Sequence, residues 1–299
     1  MERSEAPIHR PVMAREVVRI LVAGEVDLLL DATVGAGGHS ASFLAERGDS
    51  ARVIGLDRDP EMLTRARERL AEYGDRVRLV ARSFAEVGGV LDELGEATID
   101  GALFDLGANS LHFDAPDRGF SLQSPGPLDM RFDRRGGETA ADIVNGASEE
   151  ELARIFSELG DEPNARRIAS AIVAERPIRD TLRLAEIVDR ATPVRGRTHP
   201  ATRVFQSLRM QTNAELAHVA NGLPAAFGRL RAGGRLVALT FHSGEDRLVK
   251  GLLRDEVRAG RAVLLTKKPI RPDAEEVRSN RRARSVKLRA AERRGEAGA

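Results

Sequence analysis

The 299-residue chain contains no cysteine, no tryptophan and a single tyrosine. Without cysteine it has no disulfide, no thiolate-bound zinc and no iron–sulfur cluster. A thiolate nucleophile is excluded for the same reason. No apolar run approaches the roughly eighteen residues of a membrane span, and Met1 to His9 lacks a signal-peptide core. A cytoplasmic location with no membrane partner is therefore expected. Net charge is only +1, so no global basic field is present. The six histidines show no H-x-x-x-H or H-E-x-x-H spacing, and the acidic residues are not spaced as a calcium loop, so no metal is expected.

What the chain has is ordinary in amount and distinctive in order. Hydrophobic residues make up 41% and charged residues 31%, as in a folded globular protein. Apolar runs alternate with helix-compatible stretches in the first third. Strands are expected at Asp27–Thr33, Arg52–Asp57, Arg76–Ala81 and Ile99–Leu106, with helices at Pro11–Ala23, Ser40–Arg47, Pro60–Tyr73 and Phe84–Leu94. Such alternation predicts an α/β fold with a parallel, doubly wound sheet. The rhythm stops after Asn109. A Gly-, Pro- and Asp-rich stretch is followed by helical patterns at Ser148–Leu159, Asn164–Glu175, Leu182–Ala191 and Thr202–Phe227. Alternation resumes with a strand at Arg235–Phe241, a helix at Gly244–Arg258 and a strand at Ala262–Thr266. The expected organisation is a first sheet-forming part (1–111), an inserted all-helical domain (112–214), a second sheet-forming part (215–272) and a basic tail (273–299).

The most informative segment runs from Leu28 to Ser40. Three leucines lead into Asp31, and Gly35, Gly37 and Gly38 follow before a helix. Glycines there allow a tight turn and a close approach of backbone to ligand. Asp57 ends the next strand twenty positions after Gly37, where a carboxylate can hold two ribose hydroxyls. The pair reads as a site for an adenosine-containing cofactor, and suits a dinucleotide or S-adenosylmethionine equally. For a methyl donor, the missing cysteine favours direct transfer to nitrogen or oxygen, because methylation at pyrimidine C5 usually requires a thiolate to add to the ring.

Further constellations each have a functional and a structural reading. Asp105 ends the fourth strand, near the glycine loop if ligands sit beyond the strand ends; it also suits a turn cap. The Asp117–Ser121 and Gly126–Asp133 stretches, with Arg131, read as a binding loop or as a salt-bridged surface. Thr202, Arg203, Gln206 and Arg209 share a helical spacing that serves RNA phosphates or a solvated face equally. His242 lines a pocket or caps the following helix. Between Arg278 and Arg294 eight basic residues face one acid, Glu292; Arg281, Arg282, Arg284, Lys287 and Arg289 are the candidate phosphate contacts, against a solvated tail or a segment folded back through Val286 and Leu288. With ten phenylalanines and one tyrosine, base stacking would rest on phenylalanine, histidine or arginine.

Taken together, these residues resemble the bacterial 16S ribosomal RNA (cytidine-N4) methyltransferase family, known as RsmH or MraW. The resemblance is carried by His9-Arg10-Pro11-Val12, Asp31 to Ser40, Leu56 to Pro60, Asp105-Leu106-Gly107, Arg118 to Ser121, Gly126 to Arg131, His199 to Arg203, Phe241-His242-Ser243, Glu245 to Arg247 and Arg282 to Ser285. They cover almost the whole chain in order. The resemblance implies a class I S-adenosylmethionine methyltransferase (Rossmann-like) sheet with an inserted helical domain. It implies cofactor contacts at Gly37, Gly38, His39, Asp57, Phe84, Asp105 and His112. Catalytic roles fall to Asp105 and Asn109, and substrate contacts to Arg131, Arg203, His242, Arg282 and Arg284. The implied partner is 16S rRNA or the small ribosomal subunit. The chain departs from the family at His112, where glutamine is usual, across Ala108–Leu111, and at Gly244, where leucine is usual. A non-catalytic RNA-binding or assembly protein on the same fold is the rival reading from another class. An amino-methyltransferase with a different nucleic-acid target is another, although its usual Asp/Asn-Pro-Pro-Tyr/Phe is replaced here by Asp105-Leu106-Gly107-Ala108.

Overall fold

Leucine and β-branched runs buried on both faces make strands of a parallel sheet, and the first third of the chain supplies three, with a more exposed fourth at the sheet edge. The computed structural model describes residues 11–192 and 199–295. In chain order it gives α1 (Ala14–Val22), β1 (Leu28–Asp31), α2 (Gly38–Arg47), β2 (Arg52–Leu56), α3 (Pro60–Arg69), β3 (Val77–Val80), α4 (Val87–Glu93) and β4 (Ile99–Asp105). Asp59 caps α3 by accepting from Glu61 N, and Pro60 fills the first helical position, where no N–H is needed. The expected helix to Tyr73 ends earlier, at Arg69, and continues as a 3-10 turn over Ala71–Arg76.

The chain divides into two compact units, one built from the chain up to Gly107 and again from Leu216 onward, the other from Ala108–Glu215. The second unit is helical: α5 (Ser110–Asp114), α6 (Ala140–Gly146), α7 (Glu149–Glu158), α8 (Ala165–Ala174), α9 (Thr181–Ala191) and α10 (Thr202–Thr212). Its core gathers Phe120, Leu128, Phe156, Ile168, Leu184 and Leu208, with Leu152, Ile168, Leu184 and Leu208 fully buried. The Gly- and Pro-rich stretch is packed and not a free lid. Buried Arg118 donates to the carbonyls of Arg131 and Phe132, and a Cβ on Gly119 would lie 2.0 Å from the Pro127 carbonyl oxygen.

The single helix expected over Thr202–Phe227 is two. Between α10 and α11 (Glu215–Arg229) the chain turns at Ala214, whose φ is +47°. Buried Asn213 fixes the break: its Oδ1 accepts from Phe132 N, and its Nδ2 donates to the carbonyls of Met130 and Arg209. The return continues with β5 (Leu230–Thr240), α12 (Ser243–Arg258), β6 (Ala262–Leu264), α13 (Ala274–Ser279) and β7 (Lys287–Arg293).

The sheet order is β3-β2-β1-β4-β5-β7-β6, with β1 to β5 parallel and β7 antiparallel to both neighbours. Alternation divides the strands between two faces. Leu29, Val53, Leu103 and Leu239 pack with Val17, Leu21, Phe43 and Leu63 of α1, α2 and α3. Leu30, Ile54, Leu56 and Phe104 pack with Leu91, Leu223, Phe227 and Val249 of α4, α11 and α12. The expectation of a basic tail from residue 273 is corrected here, because β7 lies inside the sheet. Leu288 and Ala290 are fully buried, while Lys287 Nζ and Arg289 Nε each lie 2.7 Å from Asp246 on α12. Apolar residues at alternate positions turned a charged run into a strand.

Candidate active site

Three parallel strands end in carboxylates at one edge of the sheet: Asp31 on β1, Asp57 just past β2 and Asp105 on β4. That edge is where ligands bind in doubly wound sheets. Asp31 is buried and turned inward, accepting from Ser40 Oγ of α2 at 2.6 Å. Burial raises its pKa above the ordinary aspartate value. Its work is to tie the first turn of α2 to β1. Thr33 Oγ1 accepts from Asp105 N at 2.7 Å and so joins the ends of β1 and β4.

The glycine loop lies between β1 and α2. Gly35 (φ +51°) and Gly37 (φ +78°) occupy the left-handed region, which glycine enters without steric cost. Gly35 N donates to Asp57 Oδ2 at 3.0 Å, and Asp59 N donates to Asp57 Oδ1 at 2.8 Å. Each carboxylate oxygen thus has one backbone donor and a further lone pair. Burial is the main reason the Asp57 pKa is pushed up to about 6, with the Asp59 charge adding to it and the backbone N–H groups opposing it.

His39 Nε2 lies 3.4 Å from Asp105 Oδ2, a charge contact without hydrogen-bond alignment. His39 is 6% exposed, and its Nδ1 and Nε2, together with Asp105 Oδ1, are buried without hydrogen-bond partners among the described residues. Burial alone would lower the His39 pKa, but Asp105, with Asp31 and Glu276 behind it, outweighs burial and raises it. Buried polar atoms without partners cost roughly 1–3 kcal/mol each, so the place is built for something that supplies them.

Opposite Asp57, the turn after β3 carries Ser83 and Phe84. The Phe84 ring meets Phe104 edge-on at 5.6 Å and His218 of α11 at 6.2 Å. His218 Nδ1 lies 3.3 Å from Ser83 Oγ and 3.4 Å from Arg58 Nη1. A Cβ on Gly222, one turn along α11, would stand 2.4 Å from the Phe84 carbonyl oxygen. Neither His218 nor Gly222 was singled out from the sequence. Their i, i+4 spacing was the available signal, but spacing alone does not tell which element a helix face meets.

A family model for the MraW methylase family matches residues 6–294. The chain belongs to that family. Relatives include a protein of Solidesulfovibrio magneticus called ribosomal RNA small subunit methyltransferase H, 47% identical over 316 residues and covering 98% of each chain. One of the same description from Carboxydothermus hydrogenoformans is 45% identical over 305 residues, covering 95% of this chain and 97% of its own. A solved rRNA methylase from Streptococcus thermophilus is similar more distantly, at 14% identity and a TM-score of 0.45, covering 97% of this chain and 100% of that one.

As an MraW-family methylase, the chain is an enzyme that uses S-adenosylmethionine. The residues present fit that group. A carboxylate with open lone pairs suits ribose hydroxyls, and an unpartnered acidic oxygen beside a buried histidine suits a ligand carrying N–H donors and positive charge.

Of the residues expected from sequence, Gly37, Gly38, His39, Asp57, Phe84 and Asp105 all lie at or next to the carboxyl edge of the sheet in the first unit. Asn109, His112, Arg131 and Arg203 belong to the second unit. Asn109 caps α5, accepting from Leu111 N, and its own N–H donates to His112 Nδ1. The His112 ring stacks on Phe120 at 5.2 Å and meets Phe132 at 4.9 Å. Arg131 is engaged within its own loop. Its Nε and Nη2 grip Asp129 at 2.8 Å each, and its Nη1 reaches the carbonyls of Gly136 and Gly137, so the salt-bridged reading of this loop applies. In the helical row, Arg209 is likewise committed, to Glu215 at 2.7 and 2.9 Å, whereas Arg203 stays exposed and bonds the Asp161 carbonyl. His242 caps α12, its Nδ1 accepting from Glu245 N while Nε2 sits 3.1 Å from the Glu245 carboxylate. Arg284 is exposed. The Arg282 side chain, like His9 and Arg10, lies outside the described residues.

Proposed function

We propose that this methylase transfers the methyl group of S-adenosylmethionine to the exocyclic N4 of a cytidine in small-subunit ribosomal RNA, in its decoding-centre region. The carrying observation is the buried Oδ1 of Asp105 at the end of β4, which has no hydrogen-bond partner among the described residues. The N4 lone pair is conjugated into the ring and weakly nucleophilic. A carboxylate accepting an N4 hydrogen favours the pyramidal amine whose lone pair can attack. Asp105 is the residue for that role, with Oδ2 held beside His39 and Oδ1 open. Asn109, whose side chain caps α5, is the secondary candidate.

The bound cofactor supplies an electrophilic methyl group on a sulfonium. Asp57 holds the ribose hydroxyls, Gly37 and Gly38 allow close approach, and Phe84 packs the adenine. His39, whose Nε2 lies 3.4 Å from Asp105 Oδ2, fixes the orientation of that carboxylate. Catalysis is then alignment of donor and acceptor, without a covalent enzyme intermediate, consistent with the absence of cysteine. The target cytidine must leave its stack to reach such a site. The helical insert, expected over 112–214, and exposed Arg203 serve the RNA. The substrate is free rRNA or the small subunit, which places the work in the cytoplasm. The names of the relatives support the substrate class.

The test is transfer of labelled methyl from S-adenosylmethionine into purified small subunits, followed by nucleoside analysis. N4-methylcytidine is expected. Label in 5-methylcytidine would overturn direct transfer to nitrogen.

A further inference from the structure

The register of β5, β7 and β6 decides where the connection between β6 and β7 lies. Thr240, at the carboxyl end of β5, pairs with Lys287, the first residue of β7, and Arg235 pairs with Glu292. β6 starts opposite the end of β7, with Ala262 against Arg293, and runs towards the same edge as Thr240. Residues 265–286 therefore leave and return at the edge that carries Asp57 and Asp105. Glu276, within this connection, accepts from Met13 N and contributes to the field on His39.

The connection is anchored on one side and charged on the other. Ala283 and Val286 are fully buried, and Ile270 exchanges two backbone hydrogen bonds with Leu288. Lys267, Lys268, Arg271, Arg278 and Arg284 are all exposed, and none holds an ion pair among the described residues. In β7 itself Lys287 and Arg289 are held by Asp246 and Arg293 by the carbonyls of Gly228 and Leu230. Of the acids within the connection, Asp273 caps α13, Glu276 faces Met13 and Glu275 adds a further exposed negative charge.

We infer that the β6–β7 connection is a preformed rail for the phosphate backbone of the RNA substrate, carried by Lys267, Lys268, Arg271, Arg278 and Arg284. This rests on the RNA reading above. A loop whose backbone is already packed orders little further on binding, and phosphate contacts of this kind position a strand without reading its bases. The contact surface thus shifts away from the strand residues Lys287 and Arg289, which the sequence had grouped with it.

Binding of a short fluorescein-labelled single-stranded RNA, followed by anisotropy over a range of salt, tests the rail in the full-length protein. Each phosphate contact on a single strand contributes about 0.7 to the slope of log affinity against log salt. Neutralising all five to Gln should reduce the slope by up to about 3.5, K267Q/K268Q/R271Q alone by about 2 and R278Q/R284Q alone by about 1.4. S-adenosylhomocysteine affinity, measured by calorimetry, should stay at the wild-type value and report an intact fold. R254Q/R258Q, at the far end of α12, should keep the wild-type slope. If the five-residue variant does not fold, the two smaller variants decide by the same measure. A wild-type slope in the neutralised variants, or an equal loss in the α12 variant, overturns the rail. Methyl transfer to another atom by the wild type overturns the N4 assignment and leaves the slope result standing.

Discussion

Asp57 couples stability, cofactor binding and pH in opposite directions, which makes it the sharpest test. Burial holds its pKa at about 6 against an ordinary 3.8, a difference of roughly two units or about 3 kcal/mol. The folded chain therefore holds this proton more tightly than the unfolded chain. The stabilisation is fully present below 3.8 and is lost as pH rises towards about 6. Cofactor binding runs the other way, since the ionised carboxylate is the form that accepts two ribose hydroxyls. At roughly 1.5–3 kcal/mol per bond to a charged group, losing that form weakens binding more than tenfold. Calorimetric titration of S-adenosylhomocysteine should show affinity rising between pH 5 and pH 8. Asp57→Asn should weaken binding more than tenfold at pH 8, approach wild type at pH 5 and flatten the profile. Its urea stability at pH 8 should change little. Relief of the buried charge is offset by one of the two donors, Gly35 N or Asp59 N, losing its acceptor at about 1–3 kcal/mol. A flat wild-type profile refutes the assignment. So does a pH dependence that survives in Asp57→Asn, which would point to His39.

Asp105→Asn should lower kcat for methyl transfer at least tenfold while changing S-adenosylhomocysteine affinity less, as measured by labelled transfer and calorimetry. Gly222→Ala should displace the Phe84 turn, because the added Cβ would stand 2.4 Å from a backbone oxygen; overpacking of this kind costs about 1–3 kcal/mol and should appear as both lower stability and weaker cofactor binding. Arg209→Ala leaves the buried Glu215 carboxylate without its bidentate partner, and urea unfolding should show a loss of about 3 kcal/mol, with Arg209→Ala/Glu215→Ala losing less than the two singles combined. Burial alone would raise the Asp246 pKa, but Arg289 and Lys287 outweigh it and hold it below 3.8; the stability it contributes is present above 3.8 and lost as pH falls below it, so the gap between wild type and Asp246→Asn should close in acid.

The alternation of apolar runs with helix formers was enough to place the parallel strands, because a strand buried on both faces must be apolar throughout. Leu28 to Leu30 and Ala102 to Phe104 could be little else. The glycine loop was legible for a similarly local reason: left-handed φ at Gly35 and Gly37 leaves few alternatives to glycine. The missing cysteine constrained the chemistry without any structure. Where the reading failed, long-range partners decided. For Arg131 and Arg209 the sequence left binding and structural readings open until Asp129 and Glu215 met them, because composition cannot say which acid meets which base. The helix through Thr202–Phe227 broke because Asn213 bonds to backbone more than eighty residues earlier. Lys287 and Arg289 read as phosphate contacts on a basic tail, since a period-two pattern of leucine and alanine among arginines is weak until a neighbouring strand covers it. His218 reached the Ser83–Phe84 turn only through the packing of α11 on the sheet. Local backbone chemistry was written in the sequence, and the pairing of charges and the facing of helices were settled by tertiary contact.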